Sequence, residues 1–584
     1  MYTMDILHFS LLAIQVFLLS FFPASLISFY LPYNRQVSIT AGFALSLLLF
    51  YLSSFAAYYF NLPAAYFFLA ITAFSAFIFV IKIYGSKSAS FDFKLPLVFF
   101  IFYLILAVSQ TLIPYYAGGY WYFDWFEHYQ RSLFFLDHLP LDFRFGPYLL
   151  TARPPFFNLV ASFFMEFTGR NFYHYQLIAT LLNALVILPV YLISRDHLKL
   201  NRYKYLLSIV FSIVLFNPAI FQQTTFTWTK SLSAFFVILG FYFYLDHRKE
   251  QRFLSLFLSF IFLAQAHLVH YSAVGYIIPI IFAALISSVA QFKKFFVRYV
   301  ICCFVFLLIL SSWYGFALKN YGVYNTFAGN TSYEWTKNLS LKDRINKDSL
   351  NFIYTFFPLI PASYLQSIRP QSSMLVKLYD LAVYFYYGNL PGTLTVTLYL
   401  LIIVCFLRII LKRFNILLKD KKARFTAFFI TIGTIINLVV YPTPSNAIAG
   451  VVFFPLSLLL LCFGIISLIR LSGTISRLFW KFIVTAIFIE SILGILLKIY
   501  ILQTELNPQF NYRLTDTNRY QYKTLAVHLD NWYLKKDNNL VFLYDRFNTL
   551  QPLFISFLLL SWLTTFLLLM KIPPAKQGPP LHEK

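Results

Sequence analysis

The sequence predicts an all-α integral membrane protein, a polytopic helical bundle of about fifteen transmembrane helices with outer-face loops carrying interfacial helices. Three observations predict it. Hydrophobic residues make up 60% of the 584-residue chain and charged residues only 12%, against about 25% charged in an ordinary soluble domain; the mean hydropathy is +0.70. Apolar runs of the roughly 20 residues that a helix needs to cross a bilayer recur along the whole chain. The charges lie in short clusters between those runs, and the clusters alternate with uncharged loops. A net charge of +24 would suit nucleic acid if it were gathered on one face. Scattered this way it reads as topology and contact with anionic lipid head groups, so membrane lipids are expected partners and nucleic acid is not.

Taken in order, the runs bounded by Pro, Gly or charge are 5–30, 37–60, 63–83, 96–116, 174–194, 204–221, 227–245, 253–269, 271–290, 297–317, 391–411, 425–441, 447–469, 481–502 and 551–570. The first is kept as a span because no basic segment of a signal peptide precedes it. The four cysteines, Cys302, Cys303, Cys405 and Cys462, all sit inside apolar runs and suggest neither zinc nor a disulfide framework. The expected organisation is N-terminal membrane helices over 1–95, then a core region over 96–317 that includes the outer loop 117–173. Beyond it come an outer segment over 318–390, further helices over 391–503, an outer loop over 504–550, and the last span with its tail over 551–584.

The short loops sort by charge. Arg35, then Lys82 to Lys94, Arg195 to Lys204, Arg248 to Arg252, Lys293 to Arg298, Arg408 to Arg424, Arg470 to Arg477 and the tail after Lys571 form a basic set. The alternate loops NLP (61–63), FNPAIFQQT (216–224) and YPTPSN (441–446) carry no charge. The positive-inside rule then places the N-terminus outside and the C-terminus in the cytoplasm. All three long polar segments, 117–173, 318–390 and 504–550, fall on the outer side and are rich in aromatic residues, as suits the head-group level. An enzyme working at the outer surface needs such loops; a transporter does not.

Within the first of these loops, Gly118–Leu159 is a polar island in an apolar chain. Asp124 and Glu127 stand three apart ahead of an apolar pattern (Phe126, Tyr129, Leu133, Phe134) that predicts a helix. Both carboxylates would share the face near its start, where the helix dipole favours anions. A carboxylate there can act as general base toward a hydroxyl. An Asp cap followed by Glu three residues on is an equally good account of the same letters. Arg153, ahead of Pro154-Pro155, can grip a phosphate through two parallel hydrogen bonds, although snorkelling to lipid head groups is the commoner fate of an interfacial arginine. Arg131 and Arg144 share both readings. The stretch ARPPFFNLVASFFMEFTGR (152–170) predicts a short amphipathic helix lying in the interface.

Further along, Lys230 lies near the outer end of a span, where an ionisable residue is costly and often functional. It can neutralise a leaving phosphate or simply snorkel. His267 and His270 sit at the same mouth; their HxxH spacing is half of a metal site, but the HExxH pair is absent, so packing or hydrogen bonding is expected. Glu490 and Lys498, two turns apart on one span, receive no role. No Walker A, GxGxxG, GxSxG or kinase motif occurs. The cytoplasmic loops are too short to host a nucleotide, so the substrate is expected ready-made on the outer face. No cofactor is expected; a carboxylate pair can hold a divalent metal beside phosphate, but nothing in the spacing requires one.

The acids, the Tyr-bearing helix DWFEHYQRSLFF (124–135) and the Arg153-Pro154-Pro155-Phe156 element resemble the GT-C glycosyltransferases. The pattern is most similar to protein O-mannosyltransferases, the lipid A aminoarabinose transferase and their bacterial cousins. TFTWTKSLSAFFVILGFYFY (225–244) looks like the TWPK-bearing span of those cousins, with Thr229 in place of proline. The resemblance implies a multi-pass enzyme of the bacterial cell membrane that moves a sugar from a polyprenyl-phosphate donor to a glycan, lipid or protein acceptor on the outer face, with inversion. It implies that Asp124 or Glu127 serves the acceptor, Asp124 being favoured, and that Arg153, Lys230, Arg131, His267 and His270 serve the lipid phosphate or donor. Two departures stand out: the acids are separated by Trp125 and Phe126 rather than adjacent, and three spans rather than one precede the loop-bearing helix. The rival readings are a transporter or flippase of lipid-linked saccharides, with broken midplane helices and a repeated half, and a polymerase or ligase of lipid-linked glycans.

Overall fold

The computed structural model describes residues 2–85, 92–113, 124–145, 148–198, 205–290, 292–329, 337–358, 384–419, 421–441, 452–472, 476–505 and 541–570. Helices lie under every apolar run of the sequence. In chain order they are α1 (Tyr2–Ser28), α2 (Arg35–Phe60), α3 (Ala64–Gly85), α4 (Lys94–Gln110), α5 (Asp124–Leu136), α6 (Phe156–Thr168), α7 (Phe172–Ala184), α8 (Ile187–Leu192), α9 (Leu206–Leu215), α10 (Pro218–Thr225), α11 (Lys230–Glu250), α12 (Phe253–Val269), α13 (Val274–Ala290) and α14 (Phe292–Phe327). The C-terminal part adds Leu341–Phe356, Val396–Lys419, Lys421–Val440, Phe454–Ser472, Arg477–Glu505 and Gln551–Met570.

Local chemistry sets several of the boundaries. The Asn34 side chain accepts from Val37 N at 3.1 Å to open α2, and Asn61, at φ 50°, closes it in the left-handed conformation that asparagine tolerates. Pro218 starts α10, where a missing N–H costs nothing, while Asn217 accepts from Ile220 N at 3.0 Å. α14 breaks at Gly322, whose φ of 73° suits glycine.

The expectation of about fifteen spans is not confirmed in number. Among the described residues seven helices are long and apolar enough to cross a membrane, or eight if the bent pair α9–α10 counts as one. Other runs are shorter apolar helices: α4 and α12 have 17 residues each, roughly 25 Å at 1.5 Å per residue, against a hydrocarbon core of about 30 Å. Hydropathy alone cannot separate a buried core helix from a lipid-facing one.

Burial separates them. The apolar window of Phe172–His197 is 100% buried, whereas those of Arg477–Leu497 and Asn548–Met570 are only 28% buried. Phe304, Leu307 and Leu308 on α14 stay exposed, as lipid-facing side chains would. α11 is buried from Lys230 through Leu245 and forms the centre of the bundle. It lies close against α12: a Cβ at Gly240 would meet Leu263 Cδ2 at 3.0 Å, and Ser259 Oγ donates to Gly240 O at 2.8 Å.

The break between α10 and α11 sets where Lys230 sits. α9 and α10 meet at a bend of 72°, and the chain from Phe226 to Thr229 is not helical. Irregular backbone at membrane depth must find its partners within the protein. Gln110 Nε2 donates to Thr225 O (2.7 Å), Tyr175 Oη to Thr227 O (3.3 Å) and Asn183 Nδ2 to Trp228 O (2.9 Å). α11 therefore starts at Lys230 from a fixed platform.

One local expectation is overturned. The segment after Pro154-Pro155 is indeed a helix, α6, but protein rather than lipid covers its apolar face. Every residue from Phe156 to Met165 is buried. Phe156 stacks on Tyr51 (4.8 Å) and Phe163 on Phe50 (4.1 Å), so α2 covers the apolar face that lipid was expected to cover.

Candidate active site

α5 carries the first part of the site. Glu127 Oε1 accepts from Arg131 Nε (3.0 Å) and Nη2 (2.7 Å), the i, i+4 pair of one helical turn. Arg131 is fully buried. It also donates to Leu150 O (2.6 Å) and Leu149 O (3.2 Å) and lies 4.2 Å over the Phe145 ring. Its guanidinium thus ties α5 to the turn at Leu150–Ala152. That turn is held from two further sides. Tyr271 Oη donates to Thr151 O at 2.9 Å, and Thr151 Oγ1 donates to Asn325 O at 2.8 Å.

Arg153 leaves this turn in an extended conformation, φ −130° and ψ 141°, as a residue before proline must. Its Nη2 reaches Glu127 Oε2 at 3.6 Å, and its side chain remains 30% exposed while that of Glu127 is 12%. Glu127 therefore lies between two guanidiniums. Burial alone would raise its pKa, but Arg153, then Arg131 and His128, outweigh burial and bring it to about 2. A carboxylate held that low is a weak base.

Lys230 supplies the second part. Its Nζ hydrogen-bonds His270 Nε2 and lies 5.6 Å from the Trp228 ring, within cation–π range. The other nitrogen of His270 is engaged by Ser272, with Oγ at 2.7 Å and N at 3.1 Å. His270 stands within electrostatic reach of Lys230, Arg153, His128 and His267, which joins the two parts into one cluster. His267 Nε2 bonds Tyr314 Oη at 2.8 Å, a packing and hydrogen-bonding role.

Most of the residues picked from the sequence thus come together: Glu127, Arg131, Arg153, Lys230 and His270 directly, with His267 at the edge. Asp124 begins α5, but its side chain lies outside the described residues. Arg144 is exposed on the turn before Phe145. Among the described residues no three His, Cys, Asp or Glu side chains gather as a metal-ligand set. Sequence reasoning missed His128 and Asn158, whose side chains meet at 3.1 Å across 30 residues of chain. The only available signal was the position of His128 beside Glu127. Glu490, left without a role, accepts from Thr397 N at 3.2 Å and also bonds its hydroxyl, satisfying the start of a neighbouring helix; the Lys498 side chain lies outside the described residues.

The multi-pass helical bundle thus gathers Arg131, Arg153 and Lys230 near one carboxylate, Glu127, and one imidazole, His270. Residues 152–314 match the family model of dolichyl-phosphate-mannose-protein mannosyltransferase. That segment begins beside Arg153 and contains Lys230, His267 and His270, so over these residues the chain is similar to a family of GT-C membrane glycosyltransferases that use a lipid-phosphate sugar donor. No curated protein and no solved structure matches the chain.

Proposed function

We propose that this glycosyltransferase transfers a sugar from a polyprenyl-phosphate donor to a hydroxyl acceptor on the outer face of a cell membrane, with inversion at the anomeric carbon. The observation that carries the reading is the convergence of Arg153 and Lys230, each held by a partner, Glu127 and His270 respectively. Two held cations suit a phosphate that gains charge as it leaves. The acceptor oxygen attacks C1 of the sugar, and the bond from C1 to the phosphate oxygen breaks with its electron pair staying on the phosphate. Asp124 takes the acceptor's proton, since Glu127 is too firmly ion-paired to do so. Glu127 instead fixes the two arginines. The outer orientation rests on the alternation of basic and uncharged loops.

The bent pair α9–α10 is the kind of broken span that transporters use, so lipid flipping is the second reading. Purified protein in liposomes, given polyprenyl-phosphate mannose and a hydroxyl acceptor, tests both. Transfer is expected, with Asp124→Asn slowing it by about 10²–10⁴-fold and Lys230→Met weakening donor binding. Flipping of a labelled lipid without transfer, and with no effect of Asp124→Asn, would sink the transferase mechanism.

A further inference from the structure

One polar group in the cluster is left over by that mechanism. His128 is 3% exposed on α5, and its Nδ1 faces Asn158 Oδ1 at 3.1 Å. An amide oxygen only accepts, so the ring proton sits on Nδ1 and Nε2 carries a lone pair. Nε2 lies across the ring from Asn158 and makes no hydrogen bond among the described residues. The ring is neutral. Burial, only partly offset by Glu127 and the Asn158 hydrogen bond, together with Arg153 and Arg131, lowers its pKa to about 3.

The charged neighbours around it are Glu127, already taken up by its two arginines, and the cations Arg131, Arg153 and, through His270, Lys230. A phosphate seated on those cations cannot face a fixed lone pair, because both are acceptors. The group attached to that phosphate can. A sugar ring carries hydroxyl donors close by, the nearest of them on C2, three bonds from the bridging phosphate oxygen. We infer that His128 is a sugar-recognition residue, its Nε2 accepting a hydrogen bond from one ring hydroxyl of the donor while Asn158 locks the tautomer. This inference rests on the donor chemistry proposed above and names the part of the site that reads the sugar rather than the phosphate.

His128→Asn and His128→Gln separate the two nitrogens: the asparagine amide replaces Nδ1 and keeps the link to Asn158, whereas glutamine places an amide oxygen near Nε2. The probes are polyprenyl-phosphate mannose, its monodeoxy analogues and sugar-free polyprenyl phosphate. His128→Asn is expected to lower kcat/KM on the full donor roughly 10-fold, the order of one lost hydrogen bond, and to leave binding of polyprenyl phosphate unchanged. One deoxy donor is expected to cost the wild type the same factor and the variant nothing further, with His128→Gln recovering part of the loss. An equal loss on every deoxy donor, no loss on the full donor, or a matching loss of polyprenyl phosphate binding overturns the assignment. A wild-type chain that transfers no sugar refutes the proposed function and this inference with it. Normal transfer by wild type and His128→Asn alike refutes this inference alone.

Discussion

Glu127 accepts from a fully buried arginine and reaches a partly exposed one, so its removal acts on both. Glu127→Gln leaves Arg131 buried without its counter-charge, a loss of about 3–5 kcal/mol for a broken buried pair. The expected outcome is a lower Tm together with weaker donor binding, because Arg153 loses its anchor. A variant with wild-type Tm would show that the carbonyls of Leu149 and Leu150 suffice for Arg131. Acid sensitivity follows from the same residues. Glu127 titrates at about 2 in the fold against an ordinary 4.5, so the stability it contributes is present above about pH 4.5 and lost as pH falls toward 2. His128 titrates at about 3 against 6.5; it is buried neutral, and the unfolded chain takes up its proton first as pH falls below 6.5. Tm is expected to decline from about pH 6.5 downward, more steeply below about 4.5. His128→Asn should flatten the upper part of that decline, measured by thermal unfolding in detergent.

At the scale of elements, the start of α11 depends on side chains from other helices. Gln110 from α4 satisfies the last carbonyl of α10, and Tyr175 and Asn183 from α7 satisfy two carbonyls of the non-helical stretch before Lys230. Asn183→Leu leaves the buried Trp228 carbonyl without that donor, a penalty of about 1–3 kcal/mol. Donor KM is expected to rise because Lys230 is no longer held in place. A drop in Tm with donor KM unchanged would make Asn183 purely structural. α6 shows how an element can be read correctly and placed wrongly. Its helical pattern and proline start are local, but whether lipid or α2 covers its apolar face depends on Phe50 and Tyr51, more than a hundred residues away.

For the whole molecule, the matter to be tested is which end of the bundle faces out. Ser340, at the start of Leu341–Phe356, and Ser476, just before Arg477–Glu505, are both exposed. In a chain whose four native cysteines are replaced by alanine, Ser340→Cys is expected to react with an impermeant thiol reagent in intact cells. Ser476→Cys is expected to react only after permeabilisation. The reverse pattern would invert the topology and move the site to the cytoplasmic side.

The membrane class and the helical elements were legible in the sequence because both depend on local composition: a run of apolar residues has no other stable arrangement across a bilayer. Lys230 and Arg153 could be picked out as candidates as well, since a charge in an apolar context stands out. The number of spans was not legible, because a helix wrapped in protein and one wrapped in lipid have the same letters. Nor were the meetings of Lys230 with His270 and of His128 with Asn158, which join residues 40 and 30 positions apart. Only tertiary packing decided those. It brings together polar groups that no periodicity links, and in a low-dielectric interior it decides which of them carry charge.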